Sequence, residues 1–197
     1  MVGVAGFALV VAMPRLPTPV VEPLAVAVEP VVAFVLGEPL TRPVTISTSV
    51  QATHTAITRL VIPSIELESA VVPAALVERD GVTTWDVPKF VAGHAEGSAG
   101  AGEPGNAVLI GHVTSLTLGH VFEDLDKIRS GDIVEIFSDT SRFEYRVTDV
   151  RDVQRTEVAV LDPTSAPTLT LITCTGQWLP TVHDYTQRVV VQAKLVT

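Results

Sequence analysis

Apolar and polar residues alternate with period two along Asp132-Ile133-Val134-Glu135-Ile136-Phe137 and again from Phe143 to Val150. Joined by a Ser138-to-Arg142 turn, the two stretches predict a β-hairpin. Elsewhere the apolar residues run together. Ala107-Val108-Leu109-Ile110 predicts a strand buried on both faces that stops at Gly111-His112. Thr170-Leu171-Ile172-Thr173 predicts a strand that carries Cys174 into a polar turn containing Gly176, and Arg188-Val189-Val190-Val191 opens a closing strand that reaches Leu195. Leu60-Val61-Ile62, Ala70-Val71-Val72 and Val82-Thr83-Thr84-Trp85 are shorter strand signals, the last two separated by the turn residues Arg79-Asp80-Gly81. Many short strands at close spacing predict an all-β sheet or barrel.

Only Val121 to Ile128 has helical apolar spacing, and it stops at Ser130-Gly131, so one short helix is expected there, with His120 at its start. Gly93 to Asn106, rich in glycine, reads as a loop with His94 solvated in it. Gln177 to Gln187, holding Trp178, Pro180, His183 and Tyr185, reads as a loop walling the strand ends.

The N-terminal quarter has another pattern. Residues 1–13 are uncharged and apolar but shorter than the ~20 residues that span a bilayer. The expectation is a truncated signal anchor, with a mobile apolar tail as the other reading. Pro14, Pro17, Pro19, Pro23, Pro30, Pro39 and Pro43 then discourage helix and central strand alike, so residues 14–56 read as an extended stalk or linker. The folded domain is expected over 57–197.

Composition narrows the function classes. Of 197 residues, 47% are hydrophobic, enough for a sizeable core, and the net charge of −9 with no basic run argues against nucleic acid. Cys174 is the only cysteine, which excludes an intramolecular disulfide. A thiol at a strand end can be a buried structural residue or a nucleophile. His112 and Arg188, each at the end of another predicted strand, favour the second: thiol, imidazole and guanidinium together suffice for acyl transfer. A metal site built from Cys174 with His112, His183 or His120 is a further reading, but these spacings match no standard zinc pattern.

Three motifs in order carry a family likeness: Gly111-His112, then Thr170-Leu171-Ile172-Thr173-Cys174, then Arg188-Val189-Val190-Val191. With Pro104-Gly105-Asn106-Ala107 before the histidine and Gly131-Asp132 after it, the chain from Ile57 onward resembles a sortase, a cysteine transpeptidase of the bacterial cell surface. Trp85-Asp86-Val87-Pro88 and the loop that follows are more similar to the housekeeping or class D/E/F types than to the calcium-stimulated type.

The resemblance implies a closed eight-stranded β-barrel with one or two short helices, preceded by the extended tail. It implies that Cys174 cleaves an LPxTG-like sorting signal after its threonine, that His112 protonates the departing amine, and that Arg188 holds the substrate backbone and oxyanion. Leu171, Ile172 and Thr173 are assigned to substrate binding. The acyl group would pass to an amine, a cell-wall precursor or a pilin lysine, at the extracytoplasmic membrane face, where the N-terminal anchor holds the enzyme. No cofactor is implied; some relatives bind calcium, but the 93–106 loop offers only Glu96 and Glu103. Positive charge beside Cys174 is expected to favour its thiolate. A non-catalytic surface module on a stalk and a hydrolytic cysteine peptidase are the competing readings.

Overall fold

A computed structural model describes residues 54–79 and 82–196. The expected anchor (1–13), and the expected stalk (14–56) up to residue 53, lie outside them. No helix among the described residues is long and apolar enough to cross a membrane.

Among the described residues ten strands form: β1 (Arg59–Ile62), β2 (Leu67–Ala74), β3 (Leu76–Arg79), β4 (Val82–Trp85), β5 (Ala92–Ala95), β6 (Gly105–Ile110), β7 (Ile133–Phe137), β8 (Arg142–Gln154), β9 (Pro167–Leu179) and β10 (Asp184–Leu195). Eight of them close a barrel in the order β1-β2-β5-β6-β9-β10-β8-β7, and β3 and β4 make a separate two-stranded sheet. β1 seals the barrel by pairing antiparallel with β7, Arg59 opposite Phe137. Two pairs are parallel, β2 with β5 and β6 with β9.

Alternation decides which side chains point inward. Leu60 and Ile62 of β1, Val134 and Ile136 of β7, and Leu169 and Leu171 of β9 fill the interior with almost no exposure. A smaller apolar cluster lies outside the barrel wall: Ala74, Ala95, Val108 and Ile110, covered by Trp85, Val87, Leu161 and Ile172. β6 is therefore buried at every position, as its unbroken apolar run predicts.

Four expectations are corrected. The Val121–Ile128 helix is instead a series of turns ending in a 3₁₀ turn, Leu125–Lys127. Phe122, Leu125 and Ile128, all fully buried, recur every third residue, which suits three residues per turn and plugs the barrel end. Within the expected 93–106 loop, Ala92–Ala95 is a strand, because the edges of β2 and β6 both offer it partners. His94 is thus a half-buried strand residue whose ring bonds the Ala99 carbonyl at 2.9 Å, not a solvated one. Finally, the expected 177–187 loop is mostly hairpin: β9 runs on to Leu179, Asp184 pairs with it, and only residues 180–183 turn.

Candidate active site

β6, β9 and β10 are neighbours in the barrel wall, and their pairing sets three side chains at one level. In the parallel β6–β9 ladder Ile110 lies opposite Ile172. Two residues on come His112, past the end of β6, and Cys174, still within β9. In the antiparallel β9–β10 ladder Cys174 lies directly opposite Arg188. Adjacent strands are about 4.8 Å apart. Cys174 and Arg188 thus stand side by side on β9 and β10, His112 follows just past the end of β6, and all three line one groove of about 890 Å³.

The groove continues from this row over Ile110, Ile172 and Val190, which share the outward face with Cys174 and Arg188 by the period of two. Trp85, Val87, Leu118, Val158 and Leu161 make its walls, and Trp178 and Tyr185 stand at the Cys174 end. Those two rings meet edge to face with centroids 5.2 Å apart.

The three residues assigned to substrate binding divide. Ile172 is on the groove floor. Thr173 touches the groove but is 3% exposed, and its hydroxyl donates to the Gly111 carbonyl at 2.9 Å, tying β9 to the end of the histidine strand. Leu171 is not in the groove; it points into the barrel core, because it lies one residue out of phase with Ile172 and three from Cys174.

Close packing fixes the strand end that carries His112. A Cβ on Gly111 would come within 2.6 Å of Val121 and 2.7 Å of Phe122, so only glycine lets the plug seat against it. The imidazole hydrogen-bonds the Val87 backbone, while its Nε2 is buried with no hydrogen-bond partner among the described residues. Burial lowers the pKa of His112, and the bond to Val87 opposes this in part. A lowered pKa favours the neutral ring, and with the other nitrogen turned to Val87, Nε2 is left as an open acceptor.

Cys174 is half-buried and free. Burial raises its pKa; the Arg188 charge pulls it down and the Asp184 charge pushes it up again. The Arg188 charge favours the thiolate, as expected of neighbouring positive charge, but desolvation is the largest of the three influences and keeps the thiol form favoured.

Two positioning residues escaped the sequence reading. Asn106, 4% exposed, donates from its amide nitrogen to the carbonyls of Val160 (3.0 Å) and Asp162 (3.3 Å) and accepts from the Thr170 hydroxyl at 2.6 Å. It ties the 158–162 wall of the groove to the strand that carries Cys174. Asp184 is the other. Both of its carboxylate oxygens lie 2.8 Å from Nη2 of Arg188. A buried polar residue inside an apolar signature would have pointed to the first; nothing in the sequence marks the partner of the second.

Both glutamates of the 93–106 segment accept hydrogen bonds from their surroundings. Glu96 accepts from the Leu76 backbone N–H at 2.8 Å. Burial would raise the pKa of Glu103, but hydrogen bonds from Thr55, His54 and Gly100 outweigh it and bring the value to about 2. Among the described residues no three His, Cys, Asp or Glu side chains gather as metal ligands.

The family described as Sortase domain matches residues 60–196. Sortase A of Bacillus anthracis is 33% identical over 92 residues, 47% of this chain; the match spans only 41% of that protein's length. Among solved structures, a sortase D5 transpeptidase of Clostridium perfringens aligns with a TM-score of 0.56 at 25% identity, covering 72% of this chain and 79% of the other. Sortase A of Listeria monocytogenes aligns with a TM-score of 0.55 at 25% identity, covering 72% and 88%.

Proposed function

Because this chain belongs to the sortase family, whose domain covers residues 60–196, we propose that it is a cysteine transpeptidase in which Cys174, His112 and Arg188 act on an extended peptide. The observation that carries the reading is that Cys174 and Arg188, opposite each other on β9 and β10, and His112, just past the end of β6, line one apolar-floored groove. Ile110, Ile172 and Val190 offer an apolar bed to the residues preceding the scissile bond.

The protonation states suggest the order of proton transfers. Cys174 holds its proton and His112 Nε2 is open. As sulfur attacks the carbonyl after the threonine of an LPxTG-like signal, its proton passes to Nε2. The carbonyl becomes a tetrahedral oxyanion, stabilised by N–H groups of Arg188. Collapse breaks the C–N bond, Nε2–H protonates the leaving amine, and a thioester on Cys174 remains. An incoming amine then attacks that thioester, gives a proton to Nε2 and forms the new amide, and the sulfur recovers the proton as a thiol.

The finer assignments belong to the same reading: D/E/F-like class, a cell-wall precursor or pilin lysine as acceptor, and anchoring of the enzyme at the extracytoplasmic membrane face by residues 1–13 through the 14–56 stalk. Incubation with a pool of LPxTG-like peptides, with and without an added primary amine, tests the reaction type. Transfer product in the presence of the amine is expected. Cleavage yielding only free carboxylate would make the enzyme a hydrolytic peptidase, and no cleavage at all would favour the non-catalytic surface module.

A further inference from the structure

Arg188 can serve a substrate only with N–H groups that are free to turn toward it. A guanidinium has five such groups. Nη1 donates to the carbonyls of Tyr185 (3.2 Å) and Gln187 (2.9 Å), and Nη2 donates to both oxygens of Asp184 at 2.8 Å. Both terminal nitrogens are thus spent on residues of β10 itself, and the guanidinium lies back along its own strand rather than across the ladder over Cys174. Nε–H has no partner among the described residues. The ion pair is sheltered, its side chains 22% and 28% exposed, unlike the more open Lys127–Asp124 pair, whose side chains are 64% and 45% exposed.

The ladder explains why Asp184 sits there. Between Tyr185 and Gln187 the β9–β10 register shifts: Tyr185 lies opposite Trp178 but Gln187 lies opposite Thr175, so β9 carries an extra residue. Gly176, at φ +81°, makes that bulge. Beyond it Asp184 still pairs with Leu179, holding the carboxylate on a strand rather than on a free loop.

We propose that Asp184 is a positioning residue that orients Arg188 along β10 and cancels its charge beside Cys174, so that a peptide must take over a terminal N–H of Arg188 from Asp184 before the guanidinium serves the thiolate and the oxyanion. This rests on the transpeptidase reading for its second half only. The opposed influences of Arg188 and Asp184 on the Cys174 thiol agree with it. The other ionisable groups lining the same groove are His112 after β6, Arg155 and Glu157 after β8, His183 at the hairpin tip and Tyr185 on β10.

The test is the pH profile of Cys174 alkylation by iodoacetamide on the full chain, where Cys174 is the one thiol. Asp184→Asn removes the charge and keeps the shape; its alkylation midpoint falls by roughly half to one pH unit. Asp184→Glu keeps the charge and stays at the wild-type midpoint. An unchanged midpoint in Asp184→Asn, or the same shift in both variants, overturns the charge-masking role.

Peptide acylation supplies the second readout. With Arg188 no longer tied to Asp184, Asp184→Asn acylates several-fold faster at the same pH at which it alkylates faster. Faster alkylation with no gain in acylation would overturn the exchange of Arg188 from Asp184 to the peptide. A wild-type protein that forms no thioester sinks the transpeptidase reading instead, and the alkylation profiles, which need no peptide, still decide the charge masking.

Discussion

From Thr168 to Thr173, β9 is buried at every residue but Ile172, paired with β10 throughout and with β6 as far as Ile172. From Cys174 to Leu179 the same strand is half-exposed or exposed, it has left β6 behind, and Gly176 breaks its register with β10. Cys174 stands at the border. The first half supplies a rigid base, since each residue is fixed by two ladders and by packing on both faces. The second half supplies reach: the bulge and the exposed hairpin beyond it place Trp178, Asp184 and Tyr185 around the thiol. A reactive group held at such a border keeps its geometry while its surroundings exchange partners with a substrate.

The largest effect separating the halves should come from Leu171→Ala. Leu171 is a core residue at 1% exposure, so its truncation should cost about 2–5 kcal/mol of stability. Thermal unfolding would read this as a large fall in Tm. Ile172→Ala, one residue away on the groove floor, should instead raise KM for peptide; if the two variants behaved alike, the division of faces along β9 would be wrong.

Next is Gly176→Ala. Its φ of +81° disfavours any side chain, and a Cβ there would lie 2.4 Å from the Thr186 hydroxyl. A cost of about 1–3 kcal/mol is expected, together with slower peptide acylation as the hairpin shifts; wild-type stability and rate would show that the bulge positions nothing.

The smallest effect is on pH dependence. The folded pKa of His112 is lowered by burial, so the unfolded chain binds the proton more readily. The stabilisation this gives is present above the unfolded value of about 6.5 and is lost as pH falls below it. Peptide acylation should accordingly hold from neutral pH downward until an acid limb below about 6.5, and that limb should disappear in His112→Ala along with most of the rate. An acid limb above pH 7 would contradict the neutral imidazole.

The buried half of the ladder was the legible half. Continuous apolar runs at 107–110 and 170–173 gave their strands directly, and the alternation from 132 to 150 gave the hairpin, because burial on two faces or on one leaves its own period in the sequence. His112 was legible as a strand-end residue; Cys174 and Arg188 were read at strand ends too, but β9 runs on to Leu179 and β10 begins at Asp184, so both stand inside their strands. That the three are neighbours was not legible, since parallel pairing of β6 with β9 joins segments some sixty positions apart.

Ala92-Gly93-His94-Ala95 has small side chains and no strand propensity; its partners alone make it a strand. The 177–187 hairpin hid behind a proline and a glycine that mark its tip and its bulge, two signals that also mark loops. The burial of Leu171 was available from its odd spacing to Cys174, which puts the two on opposite faces. The period of two puts Asp184 and Arg188 on one face of β10, but four residues apart along an extended strand is not a spacing that marks an ion pair.

The most direct test of the central claim is the intact mass of the chain after incubation with LPxTG-like peptides and no acceptor amine. The account predicts an added mass equal to the peptide up to its threonine, removable by hydroxylamine, located on Cys174 by fragmentation and absent in Cys174→Ala. A chain that cleaves the peptides with no adduct on Cys174, or that cleaves them equally well as Cys174→Ala, would contradict it.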